Sequence, residues 1–274
     1  MSLEQKYLQL QKLLSEFKSV VIAFSGGVDS TLLLKVACDT LGVDQVLALT
    51  ARSPIFPSYE LDQSEQLARE FGVRQHFIES GEIQLPDFVE NSPQRCYYCK
   101  QNMLNLFLQI TSSTDILLDG SNLDDQNDFR PGRKAVTTLG IRSPLLEAKL
   151  GKDEIRVLSR RLHLSTWNKQ PFACLATRFP YGTSITIKQL QQVDKCEEWL
   201  RLQGFSAYRV RCHDQLARIE VGADEISRLL DSTLRDKLLK TFKDNGFDYV
   251  TLDLQGYRSG SMNEVLPATN TLKS

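Results

Sequence analysis

Residues 19–31 constrain the fold of this chain more than any other stretch. Ser19-Val20-Val21-Ile22-Ala23-Phe24 is apolar and β-branched, the pattern of a strand buried on both faces of a parallel sheet. Ser25-Gly26-Gly27-Val28-Asp29-Ser30-Thr31 follows directly, and Leu32, Leu33, Val36, Ala37 and Leu41 then recur at helical spacing. A strand therefore ends in a glycine-rich turn that opens a helix. The two glycines let backbone N–H groups approach an anion with no Cβ in the way. The helix N-terminus adds unsatisfied N–H groups and a favourable dipole. Ser25, Ser30 and Thr31 supply hydroxyl donors, and Asp29 can hold a cation that bridges phosphates.

The turn is not a Walker A loop, because it lacks the Gly-Lys-Ser/Thr ending. Ser25-Gly26-Gly27-Val28-Asp29-Ser30 resembles the PP-loop, SGGxDS, of the ATP pyrophosphatases. That resemblance implies ATP and Mg2+, cleavage between the α- and β-phosphates, and adenylation of a substrate. The plain alternative is an ordinary strand–helix turn.

The rest of the chain reads as alternating strands and helices. A short amphipathic helix precedes the first strand. Further strands are predicted over residues 45–50, 73–78 and 115–118, with helices over 59–71, 99–110 and 151–164. This alternation predicts an α/β domain with a doubly wound parallel sheet. Ligands bind such sheets beyond the C-terminal strand ends. The loops after Phe24, Thr50 and Leu118 should therefore converge. The last of these, residues 119–132, holds four aspartates, two glycines and an arginine. It is either a solvated loop or a second wall of the anion site, with Gly120 close to the phosphates, Asp125 or Asp128 as a further metal ligand and Arg130 on phosphate.

Residues 167–184 have two prolines at Pro171 and Pro180, Gly182 and no periodicity, as expected of a linker and active-site loop. The expected organisation is a nucleotide domain over 1–166, this loop over 167–184, and a smaller α+β domain over 185–274. The second domain reads as helix, hairpin, helix and strand. Along its first strand Arg209 and Arg211 fall on one face, where they either clamp a phosphate or form a solvated face paired with carboxylates.

Lysine and arginine total 33 against 34 aspartate and glutamate, a formal charge of −1, so no strong field invites nucleic acid or a membrane surface. The charged N-terminal stretch does not resemble a signal peptide and no apolar run reaches membrane-spanning length, so a cytoplasmic protein is expected.

There are six cysteines. Cys96 and Cys99 form a C-x-x-C near a predicted helix start, where the dipole favours thiolates. Cys174 lies in the interdomain loop. Three thiolates suit a [4Fe–4S] cluster with one iron left open to sulfide. Two other readings stand beside it. One is a redox or persulfide pair, and the other is zinc with His163 as fourth ligand, or inert core. Cys38, Cys196 and Cys212 sit at apolar positions and read as small buried hydrophobes.

Taken together, the chain resembles the LarE family of ATP-dependent sulfur transferases. The resemblance rests on the PP-loop, the loop from Asp119 to Gly132 and Trp167-Asn168-Lys169. It also rests on Thr177-Arg178-Phe179-Pro180-Tyr181-Gly182-Thr183, Tyr208-Arg209-Val210-Arg211, Tyr249-Val250-Thr251-Leu252-Asp253 and Gly256-Tyr257-Arg258-Ser259-Gly260. It implies adenylation of a pyridinium mononucleotide carboxylate, pyrophosphate release, and displacement of AMP by sulfur to give a thiocarboxylate of the nickel-pincer nucleotide. Some members use one sacrificial cysteine; the three-cysteine set here resembles the cluster-bearing members, supplied with sulfide or another sulfur source. By the same resemblance Arg178, Glu197, Arg209 and Arg211 line the substrate and phosphate site, and a homo-oligomer is expected. A PP-loop tRNA thiolase and a non-catalytic nucleotide or cluster sensor are the competing readings.

Overall fold

The computed structural model describes residues 1–126, 131–170, 173–258 and 261–263. The chain forms two compact units. One is Met1–Glu82 with Gln94–Phe172, and the other is Ile83–Pro93 with Ala173–Ser274.

The first unit contains α1 (Leu3–Ser15), β1 (Val20–Ala23), α2 (Val28–Leu41), β2 (Val46–Arg52), α3 (Ser58–Glu70) and β3 (Arg74–Glu79). After the excursion that carries α4 (Pro86–Val89) come α5 (Arg95–Ile110), β4 (Ile116–Leu118), α6 (Pro131–Thr138), α7 (Pro144–Glu147) and α8 (Lys152–Arg161). The four strands are parallel in the order β3-β2-β1-β4. In register, Val20 lies between Val46 and Ile116. Strand order reverses at β1, which makes its C-terminal end a topological switch point. The turns after β1 and β4 consequently lie side by side.

Burial explains the unbroken apolar run of β1. Val20 and Ile22 pack into a core with Leu10 and Leu14 of α1, Leu32, Leu33 and Val36 of α2, and Ile155 and Leu158 of α8. Val21 points into a second core with Leu49, Leu117, Leu104 and Phe107 of α5, and Ala135 and Val136 of α6. A strand covered on both faces has no use for polar alternation.

Two boundaries differ from the sequence expectation. Helix α5 starts at Arg95, so Cys96 and Cys99 both lie in its first turns. The acidic loop ends in a helix, with Pro131 as the first residue of α6, a position where a missing N–H costs nothing.

The second unit contains α4, a 3-10 turn at Leu175–Arg178, α9 (Ile187–Leu202), β5 (Tyr208–His213), β6 (Leu216–Val221), a 3-10 stretch at Ala223–Leu230, α10 (Ser232–Asp244) and β7 (Tyr249–Leu252). Strands β5 and β6 pair antiparallel, and β7 adds parallel to β6. The helix expected over 230–245 forms as α10, and Asp231 caps its start, its carboxylate accepting from Leu234 N at 3.0 Å. The excursion is tied in by Asn91, which is fully buried. Its Nδ2 donates to Pro180 O at 2.7 Å, and Gly182 N and Ile185 N donate to Asn91 O and Val89 O, each at 3.1 Å.

Candidate functional site

The first group of candidate residues surrounds the start of α2. Gly27 caps this helix with no side-chain hydrogen bond, so the first-turn N–H groups have no side-chain acceptor there. Gly26 has φ +68°, and a Cβ on it would lie 3.1 Å from Ser64 Cβ of α3. Both the left-handed backbone and the close neighbour require glycine. The Ser25 and Ser30 hydroxyls lie 3.2 Å apart, and Ser30 Oγ accepts from Ser25 N at 3.3 Å. A polar relay backs the turn: Thr50 Oγ1 donates to Phe24 O at 2.7 Å, and Gln75 Nε2 donates to Thr50 Oγ1 at 2.7 Å and to Ser64 Oγ at 3.1 Å.

The turn after β4 forms the adjoining wall. A Cβ on Gly120 would meet Ser30 N at 3.2 Å, so the two backbones touch and no side chain fits between them. Asp29 Oδ1 accepts from Asn122 Nδ2 at 3.2 Å, and Asp29 Oδ2 pairs with Lys152 Nζ at 2.5 Å. Asn122 N in turn donates to Asp125 Oδ2 at 2.9 Å. The structure thus brings Ser25, Gly26, Gly27, Asp29, Ser30, Gly120 and Asp125 into one neighbourhood. Asp128 and Arg130 lie outside the described residues.

Three further polar residues join this neighbourhood, and none of them has a site role legible in the sequence. Lys152 opens α8 and reaches Asp29 across 123 residues. Asn122 links Asp29 to the acidic loop. Lys169 Nζ donates to Gly26 O at 3.1 Å, Glu60 Oε2 at 2.6 Å and Gln63 Oε1 at 2.9 Å. Asp119 is also informative. Burial acts to raise its carboxyl, but Lys100 and hydrogen bonds from Ser143 and Ser121 outweigh it and hold it below the ordinary carboxylate value. Asp119, nearly fully buried, ties Ser121 and Ser143 together at the base of this wall.

Residues 3–103 match the NAD synthase family. Relatives extend over nearly the whole chain. It is 40% identical to an uncharacterized protein of Synechocystis sp., over 96% of this chain and 99% of that protein. It is 39% identical to the pyridinium-3,5-bisthiocarboxylic acid mononucleotide synthase of Lactiplantibacillus plantarum, a LarE protein, over 97% of this chain and 96% of that protein. The chain belongs to the LarE family. An uncharacterized protein of Methanocaldococcus jannaschii is 31% identical over 88% of this chain and 92% of that protein.

In this LarE-family chain the second group of candidate residues lies on the charged face of β5 and β6. Arg178 is 1% exposed and pairs with Glu197, its Nε and Nη2 donating to the two carboxylate oxygens at 2.9 and 2.8 Å. Its Nη1 donates to Ala173 O, Cys174 O and Thr177 Oγ1. Burial acts to raise the Glu197 carboxyl, but Arg178 and the Val210 N–H outweigh it and hold it below the ordinary value. Arg211 makes a second two-bond pair, with Glu220 at 3.0 and 2.7 Å, and also donates to Thr177 O and Ser261 Oγ. Arg211 and Arg218 are direct cross-strand neighbours. Glu220, fully buried between them, offsets their repulsion.

Arg209 differs from both. Among the described residues it forms no ion pair. Its guanidinium stands 5.1 Å over the Tyr257 ring, with one donor on Tyr208 O at 2.6 Å. Burial, followed by repulsion from Arg178, lowers its pKa from the ordinary value. The two strand arginines therefore share a face without sharing a role. Arg211 is committed to a carboxylate, in keeping with the carboxylate-paired alternative, although the pair is buried and not solvated. Arg209 has cationic capacity to spare.

All six cysteines are thiols. Cys96 is exposed and Cys99 half-buried, one turn apart at the start of α5, and Cys99 Sγ donates to Glu82 Oε1 at 3.8 Å. Cys174 is half-buried, and its carbonyl accepts from Thr177 N and Arg178 Nη1. Burial pushes the thiols of Cys38 and Cys212 up to about 11 and that of Cys196 up to about 12. Those three stay protonated at neutral pH and act as small apolar groups. Among the described residues, no group of three or more His, Cys, Asp or Glu stands together as a metal site, and no helix is long and apolar enough to cross a membrane.

Proposed function

We propose that this chain is an ATP-dependent sulfur transferase acting on a pyridinium mononucleotide in nickel-pincer nucleotide assembly. The observation that carries the reading is the arrangement at the start of α2 in a chain that aligns with the synthase over 97% of its length. A glycine-rich turn, uncapped helical N–H groups and an aspartate already holding a cation are suited to a metal-bound polyphosphate. Asp29 and Asp125 would hold Mg2+, and Lys152 is placed to neutralise phosphate charge. The substrate carboxylate attacks the α-phosphate of ATP and pyrophosphate leaves. A sulfur nucleophile then attacks the acyl carbon of the adenylate and AMP departs. Arg209 would pair with the substrate phosphate, supported by the closed Arg178–Glu197 and Arg211–Glu220 pairs.

The thiol set fits an iron–sulfur cluster in its chemistry. Cys96, exposed, and Cys99, half-buried, lie one turn apart at the start of α5, and Cys174 is half-buried in the other unit. These three would hold a [4Fe–4S] cluster, which supplies an iron with no protein ligand as a carrier of sulfide. The test is anaerobic turnover with added sulfide, read beside iron content and intact mass. Several thiocarboxylates per chain at unchanged mass, with turnover lost when Cys96, Cys99 or Cys174 is changed to alanine, is the expected result. One product per chain, with loss of one sulfur at Cys174, would overturn the cluster. No pyrophosphate released with any pyridinium carboxylate would overturn the activity itself.

A further inference from the structure

Lys169 reaches back from the segment after α8 onto the phosphate loop. Its ammonium meets three acceptors, the Gly26 carbonyl, the Glu60 carboxylate and the Gln63 amide oxygen. An ammonium has three N–H donors, so these contacts use its full capacity and leave none for a ligand. The pair is well shielded, with the Lys169 side chain 16% exposed and that of Glu60 8%. The backbone that carries Lys169 is itself pinned. Arg156 of α8 donates to Trp167 O at 2.9 Å and to Lys169 O at 3.0 Å.

The carbonyl that Lys169 grips belongs to the peptide between Gly26 and Gly27. Among the described residues no peptide bond is cis. In a trans peptide the C=O of one residue and the N–H of the next point in opposite directions. The grip on Gly26 O therefore turns the Gly27 N–H away from Lys169 and into the turn that Ser25 and Ser30 line. There, among the described residues, it meets only Ser25 Oγ, at 3.4 Å, a contact long enough to yield to a better acceptor. With glycine on both sides, the backbone itself does little to hold this plane in one orientation. A flipped plane would aim a carbonyl oxygen, with its partial negative charge, at a polyanion.

We propose that Lys169 is a positioning residue that sets the Gly26–Gly27 peptide plane, so that the loop presents an N–H and not a carbonyl oxygen to phosphate. Lys169 acts through the loop and does not touch the nucleotide. The inference rests on the phosphate-loop reading above, but not on the identity of the carboxylate substrate or of the sulfur donor.

The experiment compares equilibrium binding of MgATP and of adenosine, which lacks the phosphates, to the full chain and three variants. Lys169→Met should weaken MgATP by about tenfold or more, the loss of one charged hydrogen bond, and leave adenosine binding unchanged. Lys169→Arg should recover much of that loss, because a guanidinium can donate to the same carbonyl. Glu60→Ala gives a test of sign. If Lys169 positions the peptide, freeing it from its carboxylate weakens MgATP. If it acts only as a positive charge near the phosphates, removing the neutralising carboxylate tightens MgATP. Unchanged MgATP affinity in Lys169→Met, tighter MgATP in Glu60→Ala, or equal loss of MgATP and adenosine would each overturn the proposal. A protein that binds MgATP as expected yet releases no pyrophosphate would defeat the proposed activity and leave this result standing.

Discussion

The turn before α2 and the charged face of β5 and β6 both gather cations and carboxylates, yet they treat them in opposite ways. At the turn, Lys152 and Asp29 keep 30% and 23% of their side-chain surface in contact with solvent. On the sheet face, Arg211 and Glu220 keep 5% and 0%. A half-exposed pair is weakly coupled, because water screens it, and can be taken apart by an incoming ion. A buried pair with every oxygen satisfied is costly to open, because either partner left alone is an unpaired charge in a low-dielectric interior. The first arrangement suits a place where phosphate and metal must enter. The second suits scaffolding. Arg209, beside the scaffold, forms no ion pair among the described residues, which is why the ligand role is proposed for it and not for Arg211.

The sharpest break in this contrast comes from Arg211→Ala. It leaves Glu220 buried and paired only with the more distant Arg218, and should cost about 3–5 kcal/mol of stability, read as a lowered denaturation midpoint. A loss confined to substrate binding, with stability intact, would move Arg211 from scaffold to ligand site. Asp29→Ala should do the reverse. Pyrophosphate release should fall by about 10²–10³-fold, in keeping with removal of one preorganised electrostatic group, while thermal stability changes little. Retained pyrophosphate release would remove Asp29 from the metal-binding role. The mildest of the three is Arg209→Ala. It should weaken the mononucleotide by about 1.5–3 kcal/mol in a binding titration, with MgATP affinity and stability preserved. If Arg209→Ala instead destabilises the fold as Arg211→Ala does, the distinction between the two arginines fails.

Much of the first unit is legible in the order of its residues. The run from Ser19 to Phe24 has no polar alternation, and both of its faces prove to be covered by helices. Gly26 and Gly27 mark the turn. The hairpin of the second unit is equally plain, because Val210 and Cys212 alternate with Arg209 and Arg211. The start of α5 is less plain, since Arg95 is helical while its composition gives no cap. The excursion 83–93 carries no sign in its own residues that it belongs to the second unit. Asn91 at φ +54° makes sense only once its amide is seen on Pro180 O.

Residue order is enough for the features that local rules govern. These are the strand–turn–helix at Ser19–Thr31, the parallel sheet that places ligands beyond its strand ends, and the buried character of Cys38, Cys196 and Cys212. Such features follow from periodicity and backbone freedom over a few residues. Which charges are committed to one another is settled by tertiary packing instead. Lys152 and Asp29 are separated by 123 residues, Lys169 and Gly26 by 143. Arg209 and Arg211 have nearly the same sequence context but different partners. The strength and role of a charge depend on its distance to a partner and on the water around it, and neither quantity is written in the order of the residues.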